Sequence, residues 1–295
     1  MNLKEHLKTV KPGIAKIILL VAEKSKEVKK AFLTHNKWSD SSNIYGEQQL
    51  ELDKWADKIF IDALAESKIV KTIASEEQSE IIEIVKCDGS YGVTLDPLDG
   101  VSCVDTNLAV GTIVGIFDEG DVLEKGTKMD AAMYILYGPL LTLVYSAKNG
   151  VHEFVLDSKG EFILKRENLK MPEGKIYSPG GLAKDYIPEH EKYLRELEKK
   201  GYKLRYSGSF TADIHQILIY GGVFTYPALK GAPNGKLRLL FECNPISFLI
   251  KQAGGACSTG KEDINHIKPA SLSQRTPIYV GSKSAIELLK NFYGG

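Results

Sequence analysis

The stretch from Ile69 to Leu164 most constrains what this chain can become. It holds eight short segments rich in branched and aromatic residues, at 69–74, 81–85, 92–95, 108–117, 133–137, 140–145, 151–156 and 161–164. Their length and composition are those of strands. Gly138-Pro139, Asn149-Gly150 and Lys159-Gly160 break the later segments apart, and such Gly-containing breaks are hairpin chemistry. A sheet built this way must bury its apolar surface against helices.

Helical spacing supplies those helices on either side. Pro12 suits a first helical turn, and Ile14, Ile17, Ile18, Val21 and Val28 predict a helix over 12–32. The polar stretch 34–46 reads as a long loop, followed by an amphipathic helix over 47–67 carrying Leu50, Trp55, Ile59, Phe60 and Leu64. Past Met171 the texture alternates. A charged helix over 185–200 ends at Gly201, Ser209 caps a helix running to Tyr220, and a third covers 245–253. Strands are expected at 223–226, 236–240 and 278–280. Segregated layers of helix and sheet follow, an α/β (α+β) class, with a boundary near residue 170 that divides the chain into 1–170 and 171–295.

Composition removes several function classes. Thirty-eight Lys and Arg balance thirty-eight Asp and Glu among 295 residues, which argues against binding nucleic acid or an anionic membrane. The longest apolar runs, 17–22 and 110–117, are far too short to span a bilayer. The N-terminal residues show no secretion pattern, and Cys87, Cys103, Cys243 and Cys257 lie too far apart to suggest staples or a zinc site. The expectation is a cytoplasmic globular protein with reduced thiols.

The strongest chemical signal is Ser75-Glu76-Glu77 followed by Asp96-Pro97-Leu98-Asp99-Gly100, each just after an expected strand. Pro97 cannot donate to a ladder, so Asp96 is expected to end its strand. Ligands gather where strands of such sheets end. Converging carboxylates repel one another unless cations hold them, and hard divalent ions such as Mg²⁺ prefer an all-oxygen set without Cys or His. Gly100-Val101-Ser102 can point successive backbone N–H groups into one anion-binding concavity. Two metals roughly 3.5–4 Å apart beside a bound phosphate would serve in-line phosphoryl displacement. Taken singly, Glu76-Glu77 also fits a solvated surface and Asp96-Pro97 a turn start. Together, at strand ends twenty residues apart, they favour the metal reading.

These strings, with Val110-Gly111-Thr112-Ile113-Val114-Gly115-Ile116, resemble class I fructose-1,6-bisphosphatase, a member of the metal-dependent, lithium-sensitive phosphatase superfamily. The resemblance extends through Arg205-Tyr206-Ser207-Gly208-Ser209, Ala212-Asp213-Ile214-His215, Tyr220-Gly221-Gly222, the run 233–245 and Gln274-Arg275-Thr276-Pro277, covering residues 45–295. It implies a layered αβαβα sandwich, usually a homotetramer with a dimer as the smaller option. The implied reaction is hydrolysis of the 1-phosphate of fructose 1,6-bisphosphate. It implies two or three Mg²⁺ per chain, with Mn²⁺ or Zn²⁺ as substitutes, on Glu76, Asp96, the Leu98 carbonyl, Asp99 and Glu242, with Glu47 near a third ion. Asp53 and Glu77 would orient and deprotonate the attacking water. Asp99 and the Gly100, Val101 and Ser102 amides would hold the 1-phosphate. Tyr206, Tyr226, Lys236 and a neighbouring subunit's Arg205 would hold the distal phosphate.

The chain also departs from the family. Val101-Ser102-Cys103 replaces Ser-Ser-Asn, which keeps the amides and loses a hydroxyl. The segment 177–182 is shorter and lacks an Asn and a Tyr directed at the 6-phosphate. Asp118 stands where an Arg contacts AMP in animal enzymes, so AMP inhibition is expected to be absent or altered. Alternative readings are a sedoheptulose-1,7-bisphosphatase or dual sugar bisphosphatase, an inositol-type monophosphatase, and an inactive sugar-phosphate binding protein. Read without the resemblance, Tyr206 and Tyr226 fit core-edge aromatics, and Lys236 with Arg238 a solvated strand face.

Overall fold

Pro12 opens helix α2 (Pro12–Ala31), where a missing N–H costs nothing. The short α1 (Leu3–His6) precedes it, closed by reciprocal hydrogen bonds between Asn2 and Glu5. The computed structural model describes residues 1–35, 38–42 and 48–294, without the side chains of 38–42 and 48–50. Strands β1 (Trp38–Ser42) and β2 (Gln48–Leu50) pair antiparallel, and α3 (Glu51–Glu66) follows. Part of the expected loop 34–46 is therefore a strand. The helix expected from residue 47 starts at Glu51, because backbone groups of 48–50 are spent on pairing with β1.

The next eight strands form one sheet. They are β3 (Val70–Ser75), β4 (Ile82–Glu83), β5 (Tyr91–Asp99), β6 (Val110–Phe117), β7 (Ala131–Tyr137), β8 (Leu141–Ser146), β9 (His152–Leu156) and β10 (Phe162–Arg166). Their spatial order is β10-β9-β8-β7-β6-β5-β3-β4. From β5 to β10 every neighbour pair is antiparallel, whereas β3 runs parallel to β5. Strand β5 does not end at Asp96. It continues to Asp99 with a register irregularity against β6, and Thr112 Oγ1 donates to the Pro97 carbonyl at 2.8 Å. Proline removes a donor but not an acceptor, so the pairing bends and persists.

Both faces of this sheet are covered. Val93, Leu95, Val114, Ile116, Met133 and Leu143 pack on Ile17, Ile18 and Val21 of α2 and on Leu52, Phe60 and Leu64 of α3. The alternating residues Ile113, Ala132, Tyr134 and Val144 pack the other way. There they meet Ile214 and Ile217 of α5 (Phe210–Tyr220) and Ile246 and Leu249 of α6 (Asn244–Gln252). Beyond α5 and α6 lies a second sheet of β11 (Ile176–Pro179), β12 (Lys203–Leu204), β13 (Val223–Tyr226), β14 (Ala256–Ser258) and β15 (Ile278–Gly281), in the order β12-β11-β13-β15-β14. Its outer face carries Tyr177, Val223 and Tyr279 against α4 (Pro188–Lys199) and α7 (Lys283–Tyr293). The layering is thus αβαβα.

Residues 236–240 are not a regular strand. Arg238 makes an isolated bridge to Arg275, and the chain then turns through a wide π-helical turn over Leu239–Cys243 into α6. Such wide turns recur at functional sites because they turn side chains out of helical register. Strands β11 and β14 and helix α7 lie outside the elements expected from periodicity. Among the described residues no helix is long and apolar enough to cross a membrane.

Gly111 pairs with Asp99 across β5 and β6, and a Cβ there would lie 2.4 Å from Thr211 Oγ1 on α5. Gly111→Ala is therefore expected to push α5 off the sheet at a cost of about 1–3 kcal/mol. Thermal unfolding should show a Tm several degrees lower. A Tm within about one degree of the parent would show that α5 has room to shift.

Candidate active site

Four structural elements meet at one end of β3 and β5. Strand β3 ends at Ser75, and the Glu76 N–H donates to the Leu95 carbonyl at 2.9 Å, which carries Glu76 and Glu77 alongside β5. Strand β5 delivers Asp96 and Asp99. The first turn of α3 brings Asp53, and the wide turn before α6 brings Glu242. Ligand oxygens of Asp96, Asp99 and Glu242 all lie within 4.8 Å of one another.

Burial, with proximity at three of them, perturbs Asp53, Asp96, Asp99 and Glu242. Asp96 is pushed well above the usual carboxylate range by burial and then by Glu76, Asp99, Glu242 and Asp53. Glu242 is raised by burial and Glu76, although the Arg238 N–H donates to its Oε2 at 2.6 Å and pulls the other way. Asp53 is raised by burial and then by Glu77, Glu76 and Asp57. Asp99 is raised by burial alone. Its Oδ2 accepts from the Thr211 N–H at 2.6 Å and from Ser209 Oγ at 3.1 Å, so the amino end of α5 holds this carboxylate.

One buried cation answers the cluster directly: Arg238 is only 4% exposed and its guanidinium pairs with Glu76. Six carboxylates against Arg238 and the exposed Lys236 leave an excess of negative charge, most of it buried. Protons or divalent cations must balance it. An all-oxygen donor set held on strand ends and the tip of a helix fits a hard ion such as Mg²⁺.

Beside the carboxylates the chain forms a tight turn over Val101–Cys103, entered through Gly100 at φ 82°. A side chain at Gly100 would meet Ser209 Cβ at 2.8 Å, so glycine is required both for the backbone and for the approach of α5. The cleft has a volume of about 340 Å³. Its lining includes Asp53, Glu76, Glu77, Asp96, Leu98, Asp99, Gly100, Val101, Ser102, Tyr206, Tyr226, Lys236 and Glu242. Asp53, Asp96, Asp99 and Glu242 are buried, while Tyr206 and Lys236 stand exposed and Tyr226 is half-buried.

Glu47 lies outside the described residues. Arg205 does not line the cleft of its own chain; its guanidinium sits 5.5 Å from the centre of the Tyr220 ring. Sequence reasoning missed several residues that shape the site. Arg238 belongs to the floor. Asp57, one helical turn after Asp53, accepts from Ser75 Oγ at 2.5 Å and Gln78 Nε2 at 2.6 Å, fixing the loop that bears Glu76 and Glu77. The i,i+4 spacing of Asp53 and Asp57 on α3 was a readable signal. Phe210, Phe224 and Leu237 complete the wall.

Two family models match the chain, "Fructose-1-6-bisphosphatase, N-terminal domain" over residues 2–167 and "Fructose-1-6-bisphosphatase, C-terminal domain" over residues 171–294. A class 1 fructose-1,6-bisphosphatase of Geobacter sulfurreducens is 50% identical over 100% of this chain and 96% of its own length. One from Methanocorpusculum labreanum is 49% identical over 92% of this chain and 85% of its own. The crystal structure of Leishmania major fructose-1,6-bisphosphatase in holo form superposes with a TM-score of 0.93 at 30% identity, covering 99% of this chain and 98% of that one. The same enzyme in its T-state gives 0.90 at 30% identity over 100% and 99%.

Asp213 on α5 is fully buried and accepts the Ser207 N–H on both oxygens, at 3.0 and 3.1 Å, and Gln216 Nε2 at 2.7 Å. Burial outweighs these bonds and pushes its carboxyl up from 3.8 to about 6. A folded-state value above the unfolded one means that the folded chain binds the proton more tightly. Its contribution is therefore favourable below about pH 4 and is lost as pH rises through about 6. Relative to Asp213→Asn, the parent should lose thermal stability across that window. A constant Tm difference from pH 4 to 7 would contradict the assignment.

Proposed function

This chain belongs to the fructose-1,6-bisphosphatase family, and we propose that the carboxylate-floored cleft is where it hydrolyses the 1-phosphate of fructose 1,6-bisphosphate. The observation that carries the siting is the convergence of Asp96, Asp99 and Glu242 oxygens within 4.8 Å, next to the turn at Gly100–Ser102. Glu76, Asp96, the Leu98 carbonyl, Asp99 and Glu242, with Glu47 as an outlying ligand, would hold two or three Mg²⁺ ions, which supply charge neutralisation and Lewis acidity for phosphoryl transfer.

The chain's own groups divide the remaining work. The amides of Gly100, Val101 and Ser102 bind the oxygens of the 1-phosphate and orient it over the floor. Asp53 and Glu77 hold the attacking water, and a carboxylate oxygen of this pair takes its proton as the water oxygen bonds to phosphorus and the bond to the sugar oxygen breaks. Burial and the neighbouring Glu77 and Glu76 raise the proton affinity of Asp53. Lys236, Tyr206 and Tyr226 hold the distal phosphate at the open end of the cleft. In a homotetramer or dimer, Arg205 would serve the cleft of a neighbouring copy, which fits its position outside its own. At the other end of the molecule Lys11 Nζ lies 2.5 Å from Asp118, a pairing that leaves little attraction there for a nucleotide phosphate.

Asp96→Asn should lower kcat/KM on the order of 10³-fold or more, about 4 kcal/mol of transition-state stabilisation, because an amide cannot balance divalent charge. Turnover should also stop in excess EDTA and return with Mg²⁺. Full activity under chelation would remove the metal part of this reading.

The distal phosphate is bound alike in ground and transition states, so Lys236→Ala should raise KM for the bisphosphate roughly tenfold or more and leave kcat within about twofold. Steady-state kinetics on fructose 1,6-bisphosphate and on a sugar 1-phosphate decide the matter. Equal kcat/KM for the two substrates, both indifferent to the substitution, would indicate a broad monophosphatase.

A further inference from the structure

Outside the cleft, the described residues bring two buried histidines together beneath the N-terminal helix. His6 of α1 and His152 of β9 are 7% and 4% exposed, with ring centroids 4.4 Å apart. Strand β9 stands four strand spacings from β5, roughly 19 Å, so this cluster is separate from the carboxylate floor. His152 Nε2 lies 3.2 Å from the Asn149 carbonyl, which can only accept, so the ring proton sits on Nε2 and the Nδ1 lone pair accepts the Asn168 N–H. His6 Nδ1 lies 2.5 Å from the Tyr145 hydroxyl. With its proton there, His6 turns the Nε2 lone pair towards Glu167 Oε1 at 3.6 Å, longer than an ordinary hydrogen bond. One ligand atom from each of His6, His152 and Glu167 lies within 4.8 Å of the other two. Burial lowers the proton affinity of both rings, which favours neutral imidazoles.

We propose that His6, His152 and Glu167 form a second metal site, selective for a borderline transition ion of the zinc class, which pins the N-terminal helix to the outer strands of the large sheet. Two neutral imidazoles and one carboxylate are a donor set that suits Zn²⁺ and is poor for Mg²⁺. The outer ring nitrogens already meet a carbonyl and a hydroxyl, the arrangement that fixes tautomer and ring angle in metal-bound histidines. The Asn168 N–H now donates to His152 Nδ1 at 3.2 Å, and coordination exchanges that long bond for the ion. Glu167 is 60% exposed and provides the entry path. The three ligands come from α1, from β9 and from the segment just after β10, so an ion there cross-links the start of the chain to the sheet edge.

The test uses the full chain carrying Asp96→Asn, which weakens the cleft's own metal binding, with and without Glu167→Gln. After chelator stripping and dialysis against buffered micromolar Zn²⁺, the double variant should retain about one zinc per chain fewer, as read by atomic absorption. Zn²⁺ should raise the Tm of the Asp96→Asn protein and not that of the double variant. Co²⁺ should give visible d–d absorption that His6→Asn abolishes. Glu167→Gln alone should leave Mg²⁺-supported turnover unchanged, since Glu167 lies outside the cleft. Equal zinc content and equal Tm shifts with and without Glu167 would overturn the site, whatever happens in the cleft.

Discussion

Buried like charge at the end of β5 is the constraint on which the rest of this structure depends. Asp53, Asp96, Asp99 and Glu242 are nearly removed from water and face one another, with Glu76 at their edge. A carboxylate so placed repels its neighbours and loses hydration, and the fold must compensate at each one. The N–H groups at the start of α5 take Asp99, the Arg238 backbone takes Glu242, the Arg238 side chain takes Glu76, and the Leu98 N–H takes Asp96 at 3.1 Å. What remains is an excess of negative charge that a bound cation would relieve.

That arrangement needs a scaffold that does not yield. A sheet covered on both faces meets the need, because any sideways movement of β5 would disturb two apolar layers at once. The layer shared by the two sheets, built from α5 and α6, also carries Thr211 and the turn that presents Glu242. Packing and chemistry are therefore joined in the same helices. Glycine at 100 and at 111 lets α5 approach closely enough for its N–H groups to reach Asp99.

The resemblance to enzymes of bacteria and archaea at close to half identity, and to a protozoan structure at 30%, spans nearly the whole chain. Lys11 pairs with Asp118, and Val101–Cys103 form the turn entered through Gly100. The His6 and His152 pair lies at the sheet edge, where α1 joins the fold.

How much of this was legible before folding depends on the range of the interaction concerned. Branched and aromatic runs with Gly-containing breaks specify the hairpins from β7 to β10, because residue preference and turn geometry are properties of a few neighbouring residues. Helix α2 follows from its proline and apolar stripe for the same reason, and the strings at 75–77 and 96–100 expose a carboxylate chemistry. The course of β5 through Pro97 was not legible, since the donor that sustains it comes from Thr112 on the next strand. Nor was the wide turn at 239–243, whose first two residues fell in a strand expected over 236–240. Arg238 read as a solvated strand face, and only tertiary structure turned it inward to Glu76. Local pattern determined which segments form and which residues bring charge. Tertiary structure decided which charges share one buried volume, because electrostatic coupling depends on distance and desolvation, and neither exists until the layers have closed.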